Sequence, residues 1–355
     1  MKILALVPFN IVPPQFGGAE RCYNMVGRLP VTKILGLSWD EGSAGDVMGV
    51  PLAMIPAGAA AHEQATKLRA NGILTFDAMP TLCRKNLEHF AQAVRDENPD
   101  LIILEHPWLV KYIPEGVPYI YDAHNAEAKS FAERFDPTGP EYQHVRALEK
   151  EAVEGASLIT YCSEQDLEAI RDTYQVTAPV LHLPNGVTLP DLADRNPTRT
   201  LLFVGSVYQP NVVAAQRLIN LAPLLRDWKI VIAGGCANFV RSTWGNVELA
   251  GHVTDEKLHT LFLEAYAFVN LVSEGSGTHL KIGRALSYGV PVITTKIGAR
   301  GYHTCHITTG LDVHTILDEI STHYDHYSSR AREEADYLTW DTITQPLRDH
   351  IATLP

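Results

Sequence analysis

Residues 267–294 compress a strand, a glycine-rich loop, a helix and a second strand into one short stretch. The largely apolar run 267–272 signals a buried strand. Gly275 and Gly277 bracket Ser276 in a turn where backbone can come close to a ligand. Thr278 can then open a helix whose Leu280, Ile282, Ala285 and Leu286 make an apolar face, leaving His279, Lys281 and Arg284 for polar contacts. Gly289 ends that helix and Pro291 leads the next strand.

A helix N-terminus preceded by small residues offers unpaired N–H groups and the positive end of a dipole, so a phosphate fits there without a metal. Lys281, one turn in, adds a full charge. The glycines by themselves read more simply as an ordinary βαβ turn.

The same alternation runs through the chain. Apolar runs at 3–7, 33–37, 51–55, 101–104, 119–122 and 158–161 do not alternate with polar residues, and helical patterns at 19–29, 82–95 and 142–153 lie between them. Such a pattern predicts a parallel sheet covered on both faces. Ser163 with Asp166 resembles a capping box for a helix ending near 174. After a polar, turn-rich linker at 191–200, a second series restarts with strands at 201–204, 229–233 and 247–250 and helices at 212–225 and 255–264. Three further helical patterns follow at 311–324, 328–338 and 340–351. The expected fold class is α/β: two Rossmann-like domains with parallel sheets, facing one another across an interdomain cleft. The first domain spans 1–190 and the second 191–335, and a C-terminal helical segment, 336–355, can lie against either.

At 355 residues the chain exceeds what one core normally organises, which agrees with two domains. A net charge of -12 and a pI near 5.6 exclude a long phosphate-tracking surface of the kind nucleic acid requires, while a local basic pocket stays compatible. Cys22, Cys83, Cys162, Cys236 and Cys305 are odd in number and scattered without CxxC spacing, which suggests neither a disulfide framework nor a zinc knuckle. Residues 1–8 read as a first strand rather than a signal, and no apolar run approaches the length of a membrane span, so the protein is expected to be soluble or peripheral.

In a parallel sheet, ligands bind beyond the carboxyl ends of the strands. Three places qualify in the first half. The loop with Gly17 and Gly18 precedes a helix but has neither GxGxxG nor GxxxxGK[ST] spacing. Glu105-His106 follows one strand, and Asp122-Ala123-His124-Asn125-Ala126-Glu127 follows another. The latter supplies an imidazole with carboxylates close enough to orient it, although Asp and Asn also serve as caps for a following helix. No second His stands at helical ligand spacing near His124, which argues against a metal there.

Taken together these motifs resemble the retaining glycosyltransferases of the GT-B fold, in particular family 4, the glycosyl transferases group 1. The resemblance rests on the Gly17-Gly18 loop, residues 121–127, Pro184-Asn185-Gly186-Val187, Phe203-Val204-Gly205-Ser206 with Pro210-Asn211, Gly234-Gly235, Gly251-His252-Val253, residues 275–281 and Gly289-Val290-Pro291-Val292-Ile293-Thr294, all in family order. It implies that Gly17 and Gly18 approach the donor diphosphate and that His124, with Asn125, sits by the donor sugar near the acceptor. It further implies that Gly205, Ser206, Gly275, Ser276, Gly277, Thr278 and Lys281 hold phosphate, with the base near His252 and Val253.

Two departures stand out. Many relatives carry a glutamate for the ribose hydroxyls where this chain has Arg284, a donor in place of an acceptor. Residues 205–210 contain no cation where relatives have an Arg and Lys pair, which leaves the charge to Lys281. The implied function is transfer of a sugar from a UDP- or GDP-linked nucleotide sugar, with retention, to an acceptor that is not legible, by His124 and Lys281 and with no metal or other cofactor. The competing readings are a non-catalytic nucleotide-sugar-binding protein and a nucleotide-sugar epimerase on the same fold. The expected location is the cytoplasm, with a peripheral place at the inner membrane face and the oligomeric state left open.

Overall fold

The computed structural model describes residues 1–14, 16–39, 42–70, 79, 87–133, 135–275 and 277–354. The chain divides into two compact units, Met1–Leu183 with Thr344–Pro355 and Pro184–Ile343. Sequence patterning sets that first boundary at 190/191; the packing sets it at 183/184.

The first unit runs β1 (Ile3–Val7), α1 (Gly17–Val26), β2 (Lys33–Ser38), β3 (Ser43–Val47), β4 (Val50–Pro56), α2 (Ala59–Ala70), α3 (Glu88–Asp96), β5 (Leu101–Glu105), a 3-10 turn (Pro107–Tyr112), β6 (Tyr119–Ala123), α4 (Glu127–Ala132), α5 (Pro140–Gly155), β7 (Leu158–Tyr161), α6 (Glu164–Thr173) and β8 (Val180–His182). Its strands form one sheet in the order β3-β4-β2-β1-β5-β6-β7-β8. β1, β5, β6 and β7 are buried along their whole length, as continuous apolar runs in a doubly covered sheet must be. The exception to parallel pairing is β3, which runs antiparallel to β4 at the edge. Its first four residues, Ser43, Ala44, Gly45 and Asp46, are exposed and carry no apolar pattern, so the sequence does not announce it. The helix expected over 82–95 is seen from Glu88 to Asp96, with Phe90, Ala91 and Val94 buried, and 82–86 lie outside the described residues. Ser163 caps α6 as expected, its hydroxyl accepting from the Asp166 amide at 3.3 Å.

The second unit runs β9 (Thr200–Val204), α7 (Gln209–Asn220), β10 (Lys229–Ala233), β11 (Val247–Gly251), α8 (Asp255–Glu264), β12 (Ala267–Asn270), α9 (Leu280–Ser287), β13 (Val292–Thr294), β14 (His306–Ile307), α10 (Val313–Thr322) and α11 (Tyr324–Tyr337). A last helix, α12 (Trp340–Ala352), begins in this unit and ends among the residues grouped with the first. The sheet order is β11-β10-β9-β12-β13-β14, with every pairing parallel. Chain order reverses between β9 and β12, so the loops leaving these two neighbours diverge and open a crevice at their carboxyl ends. The helix expected from Thr278 starts two residues later, at Leu280; Thr278 and His279 complete the loop instead. Among the described residues no helix is long and apolar enough to cross a membrane.

Candidate functional site

In the second unit the loop after β12 lies beside the switch in strand order. Gly275 and Gly277 take φ of 124° and 68°, values that suit glycine, while Ser276 between them lies outside the described residues. His279 caps α9 without a side-chain acceptor, so its first amides are not spent on a side-chain cap. Lys281, half-buried as the second residue of α9, places Nζ 2.5 Å from Asn211 Oδ1 and 4.6 Å from the centre of the Phe203 ring. Burial pushes its ammonium down to about 7. The neighbouring His279 imidazole is pushed down to about 3 by burial and then by the charges of Lys281 and Arg300.

Arg300 is one residue of this site that the sequence pattern does not announce. Its guanidinium donates to the Gly275 carbonyl at 2.7 Å from the turn after β13. The same turn braces the loop twice more. Gly301, at φ 78°, packs so closely that a Cβ there would stand 2.7 Å from Thr278 Cγ2, and the Tyr302 hydroxyl donates to the His279 carbonyl at 3.0 Å. From the other side Asn185 Nδ2 donates to Thr278 Oγ1 at 2.6 Å. Neither Lys281 nor Arg300 meets a carboxylate among the described residues; both rest on neutral oxygens.

After β9, Gly205 is buried where a Cβ would lie 2.8 Å from Asn211 Cβ and 3.0 Å from Cys236 Sγ. Ser206 next to it is exposed, and its hydroxyl accepts from Asn211 Nδ2 at 3.1 Å. Asn211 therefore ties Lys281 to the Gly205-Ser206 loop. His252 is exposed and Val253 half-buried just past β11. Arg284 goes elsewhere: its guanidinium lies 5.6 Å from the Phe262 ring centre and beside the Tyr288 hydroxyl.

In the first unit a buried polar cluster forms beyond β1, β5 and β6. Gly17 and Gly18 open α1, Gly17 exposed. One turn on, Arg21 is fully buried and forks onto Asp122, Nε to Oδ2 at 2.8 Å and Nη2 to Oδ1 at 2.7 Å. Thr160 also donates to that carboxylate. His124 Nε2 lies 2.7 Å from Glu105 Oε2 and 3.2 Å from Asp122 Oδ2. Burial disfavours charge on His124, but the hydrogen bonds to Asp122 and Glu105 outweigh it and raise its pKa. Burial likewise lifts Asp122, yet Arg21 and His124 overcome it and hold that carboxyl well below its usual range. Glu105 is pushed up by burial and by Asp122, against the opposing pull of its hydrogen bond to His124.

His106 joins them, its ring centre 3.8 Å from that of His124. Its Nδ1 is 2.9 Å from Glu127 Oε1 and its Nε2 is 3.5 Å from where a Cβ on Gly18 would stand. Its backbone sits at φ 63° and ψ 163°, a region nearly reserved for glycine, and costs about 1–3 kcal/mol in other residues. Burial and then His124 push its imidazole down to about 4, so it is neutral near pH 7. Asn125 is half-buried and donates to Glu127 Oε1 at 3.2 Å. Glu149 holds this segment in place: it accepts from the Glu127 amide at 2.6 Å and the Ala128 amide at 2.9 Å, capping α4 from α5.

Cys22, Cys162 and Cys236 are buried and Cys305 half-buried, all free; Cys83 lies outside the described residues.

The fold as a whole is similar to solved structures over 99–100% of the chain. Sucrose-phosphate synthase from Thermosynechococcus elongatus aligns with all of both chains at a TM-score of 0.74 and 14% identity. Anabaena HepE in complex with UDP aligns with all of both chains at 0.66 and 14%. A UDP-forming trehalose-phosphate synthase from Burkholderia xenovorans, in complex with glucose-6-phosphate, covers 99% of this chain and 100% of its own at 0.70 and 11%. The fold is GT-B. At these identities the likeness is one of architecture. Within the GT-B chain, residues 198–324, a little over a third of its length, match the family described as Glycosyl transferases group 1. No curated protein matches the sequence.

Proposed function

We propose that this GT-B protein transfers a sugar from a nucleotide-sugar donor, with retention at the sugar carbon and without a metal. The carrying observation is that Lys281 and Arg300 flank the loop at the β9/β12 switch with no carboxylate partner among the described residues. Two cations held against neutral oxygens beside a helix N-terminus make a site whose missing member is an anion, and a diphosphate supplies it.

In this reading the second unit binds the donor. Gly275, Gly277, Thr278, Gly205 and Ser206 approach the phosphates, with His252 and Val253 at the base. As the sugar leaves, charge builds on the diphosphate, and Lys281 with Arg300 stabilises it in place of a divalent ion. The HepE structures hold UDP and UDP-glucose and the trehalose-phosphate synthase is described as UDP-forming, which favours a UDP-linked donor. Arg284 can meet the ribose only as a donor, and only by leaving Phe262.

The first unit serves the sugar and acceptor. Gly17 and Gly18 present α1 amides to the donor, and His124, braced by Glu105 and Asp122, orients the sugar with Asn125. The acceptor hydroxyl attacks from the face the diphosphate leaves, and a departing phosphate oxygen takes its proton.

Calorimetric titration with UDP and GDP, followed by a transfer assay over a donor panel, tests this. Lys281→Ala should lower kcat/KM roughly 100-fold, the scale of losing one charge-stabilising donor. Binding without turnover of any donor would leave a binding protein, and a released epimer an epimerase.

A further inference from the structure

Cys22, Glu105 and His124 come from α1, the end of β5 and the first residue after β6, too far apart in sequence to read as a motif. The fold brings one donor atom of each together, all within 4.8 Å of one another. Cys22 Sγ is 3.4 Å from Glu105 Oε2 and 3.9 Å from His124 Nε2, and those two are 2.7 Å apart. We propose that this trio is a binding site for a thiophilic divalent cation of the zinc class, and that a bound ion takes His124 away from substrate.

A thiolate, an imidazole and a carboxylate form the donor set that zinc accepts. With bond lengths of about 2.0–2.3 Å, a tetrahedral ion needs N···O near 3.3 Å and S···N or S···O near 3.5 Å, so each pair here has to shift by no more than about 0.6 Å. Glu105 is fully buried, and its Oε1 has no hydrogen-bond partner among the described residues, an orphan that an ion would satisfy by bidentate contact. The guanidinium of Arg21 does not repel the ion outright, because Asp122 already neutralises it through two hydrogen bonds. His124 is slightly exposed where Cys22 and Glu105 are not, which makes it the side of entry. The metal site stands on the first unit alone, and the withdrawal of His124 from substrate rests on the function proposed above.

The test uses the full chain, stripped with a chelator and titrated with Zn2+ and separately with Co2+. One Zn2+ per chain is expected, with a near-ultraviolet thiolate-to-cobalt charge-transfer band for Co2+. Cys22→Ser should abolish the band and weaken Zn2+ binding by about 100-fold, with circular dichroism and melting temperature showing that the variant folds. Glu105→Gln should weaken Zn2+ binding and keep the band, so it decides the matter if Cys22→Ser does not fold. No stoichiometric ion, or a band that survives Cys22→Ser in folded protein, overturns the proposal.

Discussion

Replacing Lys281 with methionine removes a charge that the fold keeps at a cost. Burial brings the Lys281 pKa from 10.5 to about 7, whereas in the unfolded chain it stays near 10.4. Between those values the unfolded chain holds the proton and the folded chain does not, so this group's contribution to stability rises with pH from about 7 to about 10.5, and its penalty is full below 7. Taken in full, that displacement is about 4–5 kcal/mol. Lys281 is only half-buried, so solvent screening reduces the working figure to about 1–2 kcal/mol. Methionine keeps an apolar stem against Phe203 and drops the charge. Lys281→Met should therefore melt several degrees higher than the parent at pH 6.5, at about 2–4 °C per kcal/mol, and the gain should fade by pH 10.5. The same variant should lose kcat/KM about 100-fold. In the parent, kcat/KM should fall about tenfold per pH unit above 7 as the free ammonium is lost, and Lys281→Arg, charged throughout, should flatten that limb. Scanning calorimetry across pH and initial rates from pH 6 to 9 make both measurements. A Lys281→Met protein no more stable than the parent at pH 6.5, or one with unchanged kcat/KM, would refute the reasoning.

Arg300→Ala should raise the donor Kd by about tenfold or more, since it removes both a cation and the clamp on the Gly275 carbonyl; calorimetry with UDP reads it. Asp122→Asn should destabilise the protein by about 3–5 kcal/mol in urea titration, because it leaves the buried Arg21 without its counter-charge. Arg284→Glu should improve donor affinity if the ribose lies by α9, and tritrating UDP against uracil-phosphate analogues without ribose hydroxyls checks that the gain comes from the ribose.

Much of the architecture was legible because a parallel sheet writes itself as unalternating apolar runs. β1, β5, β6, β7, β9, β10 and β12 all announce themselves this way. β3 does not, since its exposed Ser43 to Asp46 segment pairs through backbone alone. The sequence points to a start of α9 two residues early because Thr278 is a good cap by type, while in the structure its hydroxyl accepts from Asn185. At the candidate sites, the strand-end position of His124 and the place of Lys281 near the start of α9 follow from the pattern of runs. Arg21, Glu149 and Arg300 do not, because each reaches its partner across a distance in sequence that no local spacing encodes.

The turn that carries Arg300, Gly301 and Tyr302 touches the 275–279 loop through a guanidinium, a missing methyl and a phenol. Such an interlock makes the two segments heritable as one piece. A larger residue at 301 has no room unless Thr278 shrinks, and a different side chain at 300 frees the Gly275 carbonyl to reorient. Chains descended from this one should therefore exchange positions 275, 278, 300 and 301 as a set, and a swap of either segment alone into a distant cousin should leave the recipient loop without its wall.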